Sequence, residues 1–574
     1  MSRPATLSSP RAILIGALWL TGIAIVPLAQ VASAQSSARP AAASSDTKFW
    51  VFFADKPDSA AAAGFVTTSR ASNRRLLRSR HTKPSVDLPV NPDYIATIEQ
   101  SGASVAHTSR WLNAVSAYMS REVVRDVVAL PFVTDVRPVA SLTSAGSRHV
   151  DLTDMEALPL PANTATSAFD YGASFTQLNI MNAIDPIEQG YIGTGIVLGF
   201  LDTEYDTLTH PVFADLVADN RLLGAEFFTP GPQSNRHGLS VASVAVGFAE
   251  GQLIGPAYGA SVLLATTEYA PSETNQEEDA FVAGLEWLES QGVDVVNTSL
   301  GYTTFDPGQN SYTTADLDGD TGITTRAVDI AASLGVLVVT SAGNDGCSDP
   351  ASCWYYIGTP ADADSVVSVG AVTSSGTHAS FSSYGPTADG RTKPEVAAMG
   401  QSVRVATQAG YASSSGTSFA SPLAAAVACQ VLQANPDLTP MQVRQVLMQT
   451  ASQATSADNS LGSGILNAAA AVELALSLRD TSVADDHRTF VISGVFPNPV
   501  RDDASLSVNS SRPLTVEVQV FDITGRLARS FRRNVDEGLS IVSFPVHDLS
   551  SGAYFARVVS DGELAAASSF VVSR

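Results

Sequence analysis

Lysine is almost missing from this chain: Lys48, Lys56, Lys83 and Lys393 are the only four among 574 residues, so the basic side is nearly all arginine. Positive charge is scarce altogether, with 33 basic residues against 56 acidic ones and a formal net charge of -23. Nucleic acid and anionic membranes are thereby excluded as partners, since both would repel such a chain. An acidic, lysine-poor surface suits high salt, but GC-rich codon usage produces the same composition, and the two readings stay open. Cysteine is also rare, with three in all. Cys347 and Cys353 share one loop and could pair, whereas Cys429 sits in an alanine-rich apolar run and is expected to be a buried, unpaired thiol. Beyond the N-terminus no apolar stretch is long enough to span a bilayer.

The N-terminus itself has the pattern of an export signal over residues 1–34. Arg3 and Arg11 precede apolar residues 12–26, and Ala32-Ser33-Ala34 offers a small-residue cleavage site before Gln35. Gly16, Thr21 and Gly22 interrupt the apolar run and argue against a retained anchor. A hydrophobic content of 45% with 16% charged residues marks the remainder as globular. Its length exceeds what one core supports and points to roughly two to four domains.

Residues 35–145 carry a small α+β pattern. Residues 49–53 and 112–118 suit strands, 92–100 a short helix, and Ser120 caps a helix running through Val128 before a strand over 133–139. The arginine-rich stretch 70–80 is expected to be solvated. Residues 140–167 are polar and contain proline, which suits a linker, placed at 146–170. A compact module followed by a cleavable linker suggests a propeptide; a plain N-terminal structural domain is the alternative.

From 171 to 478 apolar strands alternate with helices, the signature of a mostly parallel sheet covered on both faces. Strands are expected over 196–201, 262–266, 293–299, 336–341 and 366–372, and helices over 280–290, 325–334 and 418–434. In such sheets binding and catalytic groups collect beyond the carboxyl ends of the strands. Asp202, Ser299-Leu300-Gly301 and Asn344 all follow apolar strands directly. Farther on, Gly416-Thr417-Ser418-Phe419-Ala420-Ser421-Pro422 places a serine between small residues ahead of an apolar helix.

Four separated motifs then occur in one order: Asp202 in Gly199-Phe200-Leu201-Asp202-Thr203, His237 in His237-Gly238-Leu239-Ser240-Val241, Asn344 in Ser341-Ala342-Gly343-Asn344-Asp345-Gly346, and Ser418. Each alone is weak, but their joint order resembles the catalytic domain of a subtilisin-like serine peptidase. That resemblance implies a subtilisin-like three-layer α/β fold and secreted endopeptidase activity. It also implies a triad of Asp202, His237 and Ser418 with Asn344 in the oxyanion hole. Ser299, Leu300 and Gly301 resemble the segment that pairs with substrate backbone, and the resemblance implies Ala342 and Gly343 as further substrate-binding residues. Glu204 departs from the usual glycine, as does Ala398-Met399-Gly400 from Ala-Pro-Gly, and altered loop shape is expected from both. Tyr302 replaces a second small residue and is expected to reshape the specificity pocket; with Asp345 nearby, basic side chains could be tolerated.

Several neighbours are set aside. Asp206 does not align by motif position, His210 reads as structural, and Ser421 is not the residue after Gly-Thr. Asp316, Asp318 and Asp320 alternate like a calcium loop, but Thr321 and Ala327 replace the glycine and bidentate glutamate an EF-hand requires. Another structural calcium geometry stays open, and no cofactor is needed for the chemistry. An α/β-hydrolase would want Gly-x-Ser-x-Gly, which Ala420 denies. A sedolisin-type enzyme would use a glutamate base, where this chain offers His237. A catalytically dead binding protein would normally have lost a member of the triad.

After a linker at 479–489, residues 490–574 alternate in short strands at 505–508, 516–521, 541–544 and 554–559, a small β-sandwich. Phe496-Pro497-Asn498-Pro499, Phe521-Asp522-Ile523-Thr524-Gly525-Arg526 and Leu549-Ser550-Ser551-Gly552-Ala553-Tyr554 resemble the sorting domain of type IX secretion in Gram-negative bacteria. A carbohydrate-binding or adhesive sandwich is the alternative. Similarly, Arg110-Trp111-Leu112-Asn113-Ala114-Val115 resembles part of the intramolecular chaperone and inhibitor of subtilisin-like precursors. The implied partners are protein or peptide substrates, the chain's own propeptide and the secretion machinery. The product is expected to be a monomer, secreted or held at the outer cell surface.

Overall fold

The computed structural model describes residues 47–57, 67–79, 86–139, 167–205, 208–229, 236–268, 278–302, 312–347 and 354–483, and most of 490–573. The expected signal (1–34), the stretch 140–166 that would hold a processing site, Asp206, Cys353, and residues 496–499 and 523–525 of the sorting motifs lie outside the described residues.

The N-terminal module runs β1 (Thr47–Phe53), α1 (Ser69–Arg78), α2 (Pro92–Gln100), β2 (Ser104–Ser109), β3 (Ala114–Met119), α3 (Arg121–Val128) and β4 (Val133–Pro138). Its sheet order is β2-β3-β1-β4, and every pairing is antiparallel. Asn91 accepts from Asp93 N ahead of Pro92, and Ser120 accepts from Val123 N, so the two expected helices start at side-chain caps. The expectation for 70–80 is corrected. Ser69–Arg78 is a helix capped by Thr68, with Arg74 and Arg78 buried instead of solvated. Strand β2 is a second addition, so the module is β-α-α-β-β-α-β where β-α-β-α-β was expected.

The central domain is built on β5 (Val197–Asp202), β6 (Leu222–Phe227), α4 (His237–Val246), β7 (Ser261–Thr266), α5 (Glu278–Gln291), β8 (Val295–Thr298), α6 (Ile323–Ser333), β9 (Leu337–Ser341), β10 (Val367–Val372), β11 (Val396–Met399) and α7 (Thr417–Ala434). The sheet order is β11-β10-β9-β8-β5-β7-β6, parallel at every pairing. Alternation along the strands feeds two cores. Leu198, Phe200, Val295, Leu337 and Val339 face the layer of α4 and α7, while Val197, Leu201, Val296 and Val338 face that of α5 and α6. The second core also takes in Trp50, Phe52, Trp111 and Leu112 of the N-terminal module, so the seam between the domains is itself hydrophobic interior.

The C-terminal domain is a sandwich of a three-stranded and a four-stranded sheet. Val516, Val518 and Val520 from one sheet meet Leu506, Val508 and Phe544 from the other in a common core. It adds an arginine-rich edge strand, Leu527–Val535, to the strands expected from the sequence.

Candidate active site

Asp202 is the last residue of β5 and is completely buried. His237 opens α4, and the junction between the two elements explains how they meet. Gly238 N donates to Thr203 Oγ1 at 3.0 Å, and a Cβ at position 238 would lie 2.7 Å from the Thr203 carbonyl oxygen. Glycine therefore lets the helix start abut the strand end. His237 Nδ1 and Asp202 Oδ1 are 2.7 Å apart, and the same oxygen accepts from Thr203 N at 2.7 Å. A carboxylate there places the imidazole proton on Nδ1 and leaves Nε2 as the basic nitrogen. Burial by itself would depress the His237 pKa, but the charge of Asp202 and its hydrogen bond outweigh it, and the net shift is upward.

Ser418 is the second residue of α7 and is largely buried. Its Oγ lies 3.5 Å from the Ser299 carbonyl oxygen, and its own carbonyl accepts from Ser299 Oγ at 2.9 Å, which ties the helix start to the end of β8. Phe419, the next residue, packs its ring 5.8 Å from that of His237 and joins the two halves of the site. Ser421 is occupied elsewhere, donating to Asn297 Oδ1 at 2.8 Å.

Asn344 follows β9. Its Oδ1 accepts from both the N and the Oγ1 of Thr417 at 2.9 Å, which fixes the amide so that Nδ2 is the free donor. Gly416, at φ 152°, leaves an opening between the donors: a Cβ there would sit 3.6 Å from Asn344 Nδ2 and 3.7 Å from Ser418 N. Both N–H groups therefore border one small space. Thr417 is a residue whose part the sequence reading missed, although it stands inside the serine motif.

Ser299, Leu300 and Gly301 leave the end of β8 just before Tyr302, whose backbone pairs with Thr359 in both directions, at 2.8 and 3.2 Å. Ala342 N donates to Val369 O, and Gly343, at φ 114°, donates to Thr417 Oγ1. Gly343 also lies against Asp345, since a Cβ on it would come 3.7 Å from Asp345 Oδ2. Burial pushes the Asp345 carboxyl up to about 6. The Tyr302 ring is turned into the interior, where its hydroxyl donates to Glu268 Oε1 at 2.9 Å.

Model matches cover the chain in three pieces: the subtilase family over residues 193–464, a Bacteroidota peptidase S8 propeptide domain over 48–151, and a secretion-system C-terminal sorting domain over 494–573. Among relatives, subtilisin DY of Bacillus licheniformis is 34% identical over 297 residues, spanning 50% of this chain and 93% of its own. The chain belongs to the subtilase family. Subtilisin NAT of Bacillus subtilis subsp. natto is 29% identical over 385 residues, covering 66% of this chain and 85% of that one. A solved protease structure from Pseudoalteromonas arctica PAMC 21717 overlaps 54% of this chain and 100% of its own, at 25% identity and a TM-score of 0.42.

This subtilase is a serine endopeptidase with a propeptide domain, and its sorting domain makes it a type IX cargo, secreted or displayed at the cell surface. No helix among the described residues is long and apolar enough to cross a membrane. His210 accepts from Val212 N at one ring nitrogen and meets Gly410 O at the other, a structural placement. Asp316 is engaged with Thr313, and Asp318 accepts from Asp320 N, Thr321 N and Thr321 Oγ1. Those carboxylates close their own turns, and the described residues hold no group of three or more His, Cys, Asp or Glu suited to a metal. Cys347 is disulfide-bonded, and Cys429 is free and buried.

Proposed function

We propose that Asp202, His237 and Ser418 form the catalytic triad of this endopeptidase, with Asn344 Nδ2 and Ser418 N as the oxyanion hole. The observation that carries the reading is the common space beside Gly416, two residues before Ser418, bordered by those two donors. In the first step His237 Nε2 takes the Ser418 proton as Oγ attacks the scissile carbonyl carbon. The cation that forms is held by Asp202, and the oxyanion receives the two N–H groups. Collapse expels the amine, which takes the proton back from His237 and leaves an acyl-Ser418. Water, deprotonated by the same imidazole, then releases the acid and restores the serine. Loss of the oxyanion asparagine costs subtilisin about 3 to 4 kcal/mol of transition-state stabilisation, a magnitude taken over from that enzyme.

Substrate backbone would lie along Ser299, Leu300 and Gly301 on one side and Ala342 and Gly343 on the other, as an added strand. Residues 35–145 act as inhibitor and folding aid, 146–170 contain the processing site, 171–478 form the catalytic domain, and 490–574 are read by the secretion machinery. The enzyme works as a monomer and needs no cofactor for the chemistry. Expression of the full chain beside Ser418→Ala tests the reading. The wild type should shorten itself and degrade casein while the variant does neither; two full-length, inactive proteins would refute it.

A further inference from the structure

Strand β8, the middle strand of the sheet, carries an amide where its neighbours carry hydrocarbon. Asn297 stands opposite Phe200 of β5 and Val339 of β9 in the parallel register, and by alternation it shares the face of Val295 toward α4 and α7. It is completely buried. An amide in an apolar layer costs stability unless hydrogen bonds meet it, and here two hydroxyls near the nucleophile do so. Ser421 Oγ donates to Asn297 Oδ1 at 2.8 Å, and Asn297 Nδ2 donates to Ser299 Oγ at 3.2 Å.

The next link lies on Ser418 itself. Within a helix the Ser418 carbonyl would accept from the N–H of the residue four later, but that residue is Pro422, which has none. The carbonyl is thus left without a helical donor in a buried place, and Ser299 Oγ supplies one at 2.9 Å. The direction of the chain of bonds follows from the protons available. Ser299 has a single hydroxyl hydrogen and a carbonyl can only accept, so that hydrogen goes to Ser418 O. Ser299 Oγ must then accept from Asn297, which turns Nδ2 toward Ser299 and Oδ1 toward Ser421. Both ends of the chain lie in the first turns of α7, three residues apart, and its middle is anchored in the sheet.

We propose that Asn297 is a positioning residue for acyl transfer: through Ser299 it fixes the Ser418 peptide, and with it both the Oγ that attacks and the N–H that meets the oxyanion. The proposal rests on the triad reading above and adds a residue that touches neither substrate nor reacting atoms. Without the donor, the Ser418 carbonyl turns to find another, and the rotation carries Oγ and N away from His237 and Asn344 together. Valine is the better strand former and would suit a site between Phe200 and Val339, so the amide serves the nucleophile and not the sheet.

The test uses the full chain with Asn297→Val, Ser299→Ala, the two combined, and Asn297→Asp. After self-cleavage, kcat and KM on a peptide anilide are measured and referred to the cleaved fraction. Asn297→Val should lower kcat by about ten- to a hundredfold, the scale of a misplacement of about 1 Å, with KM changed by no more than about twofold. Because Asn297 acts through Ser299, the combined variant should be no slower than Ser299→Ala alone. A wild-type kcat in Asn297→Val, or losses that multiply in the combined variant, overturn the inference. Asn297→Asp keeps the size of the side chain and decides the matter where the valine variant does not fold. Its carboxylate competes with Ser418 O for the Ser299 proton, whereas its protonated acid donates as the amide does. The kcat of this variant relative to wild type should therefore climb as pH falls, and a ratio independent of pH overturns the inference. A Ser418→Ala chain that cuts itself and the anilide at wild-type rates strikes the triad reading instead.

Discussion

Arg236 and Glu204 form an ion pair at 3.0 Å that spans the two segments bearing the proposed base and its orienting acid, one residue before His237 and two after Asp202. Glu204 stands where the resemblance to the family led to an expected glycine, and the pair links the two segments. Both side chains are partly exposed, and such a pair contributes about 1 kcal/mol or less. Glu204→Gly should therefore lower kcat by no more than about tenfold, with KM little changed. A full loss of activity would show that the pair does something else.

The pH dependence follows from His237. As the proposed base, His237 must be neutral to accept the Ser418 proton, and its pKa is raised from 6.5 by Asp202. Activity should thus fall on acidification at a pH above that of a free imidazole. In Asp202→Asn the charge is gone and burial governs, so the acid limb should move to lower pH while the plateau drops by about four orders of magnitude. A kcat/KM profile of both proteins decides it, and an acid limb that stays in place counts against the assignment.

Asp345 offers a specificity test. It is neutral below pH about 6 and charged above it. With Gly343 in the proposed substrate cleft, the charged form is expected to favour a cationic side chain at the residue preceding the scissile bond. The ratio of kcat/KM for lysine over leucine at that position should climb as pH rises through the Asp345 titration, and Asp345→Asn should flatten the climb. A ratio independent of pH in the wild type would refute this role.

Tyr302 concerns stability. It is fully buried, and its hydroxyl donates to Glu268. Tyr302→Phe leaves that carboxylate oxygen without this donor and should cost about 1 to 3 kcal/mol. In Ser418→Ala protein, calorimetry should show a lower unfolding midpoint; an unchanged midpoint would mean that the interior compensates.

The strands of the central sheet were legible because both faces are buried, which leaves short, nearly continuous apolar runs; residues 196–201 read correctly to within one position of Val197–Asp202. Helix α4 was not legible for a related reason. His237–Val246 is interior on all sides and shows no polar stripe, so periodicity is silent there. Helix α1 failed the other way. Its arginines look like a solvated face until the acceptors that bury them are known, and those around Arg74 lie more than 200 residues away in the chain.

The order of Asp202, His237, Asn344 and Ser418, the rarity of lysine and the strand-rich C-terminus belong to the sequence itself, because each is a local pattern of residue types. What only the tertiary structure decided is which groups face one another. Thr417 turns the Asn344 amide, Gly238 admits Thr203, and the free ends of α5 and α6 meet an arginine helix from another domain. These are contacts between distant segments at close range. They depend on hydrogen-bond direction and on the space of a single missing Cβ, neither of which has a signature in the order of residues along the chain.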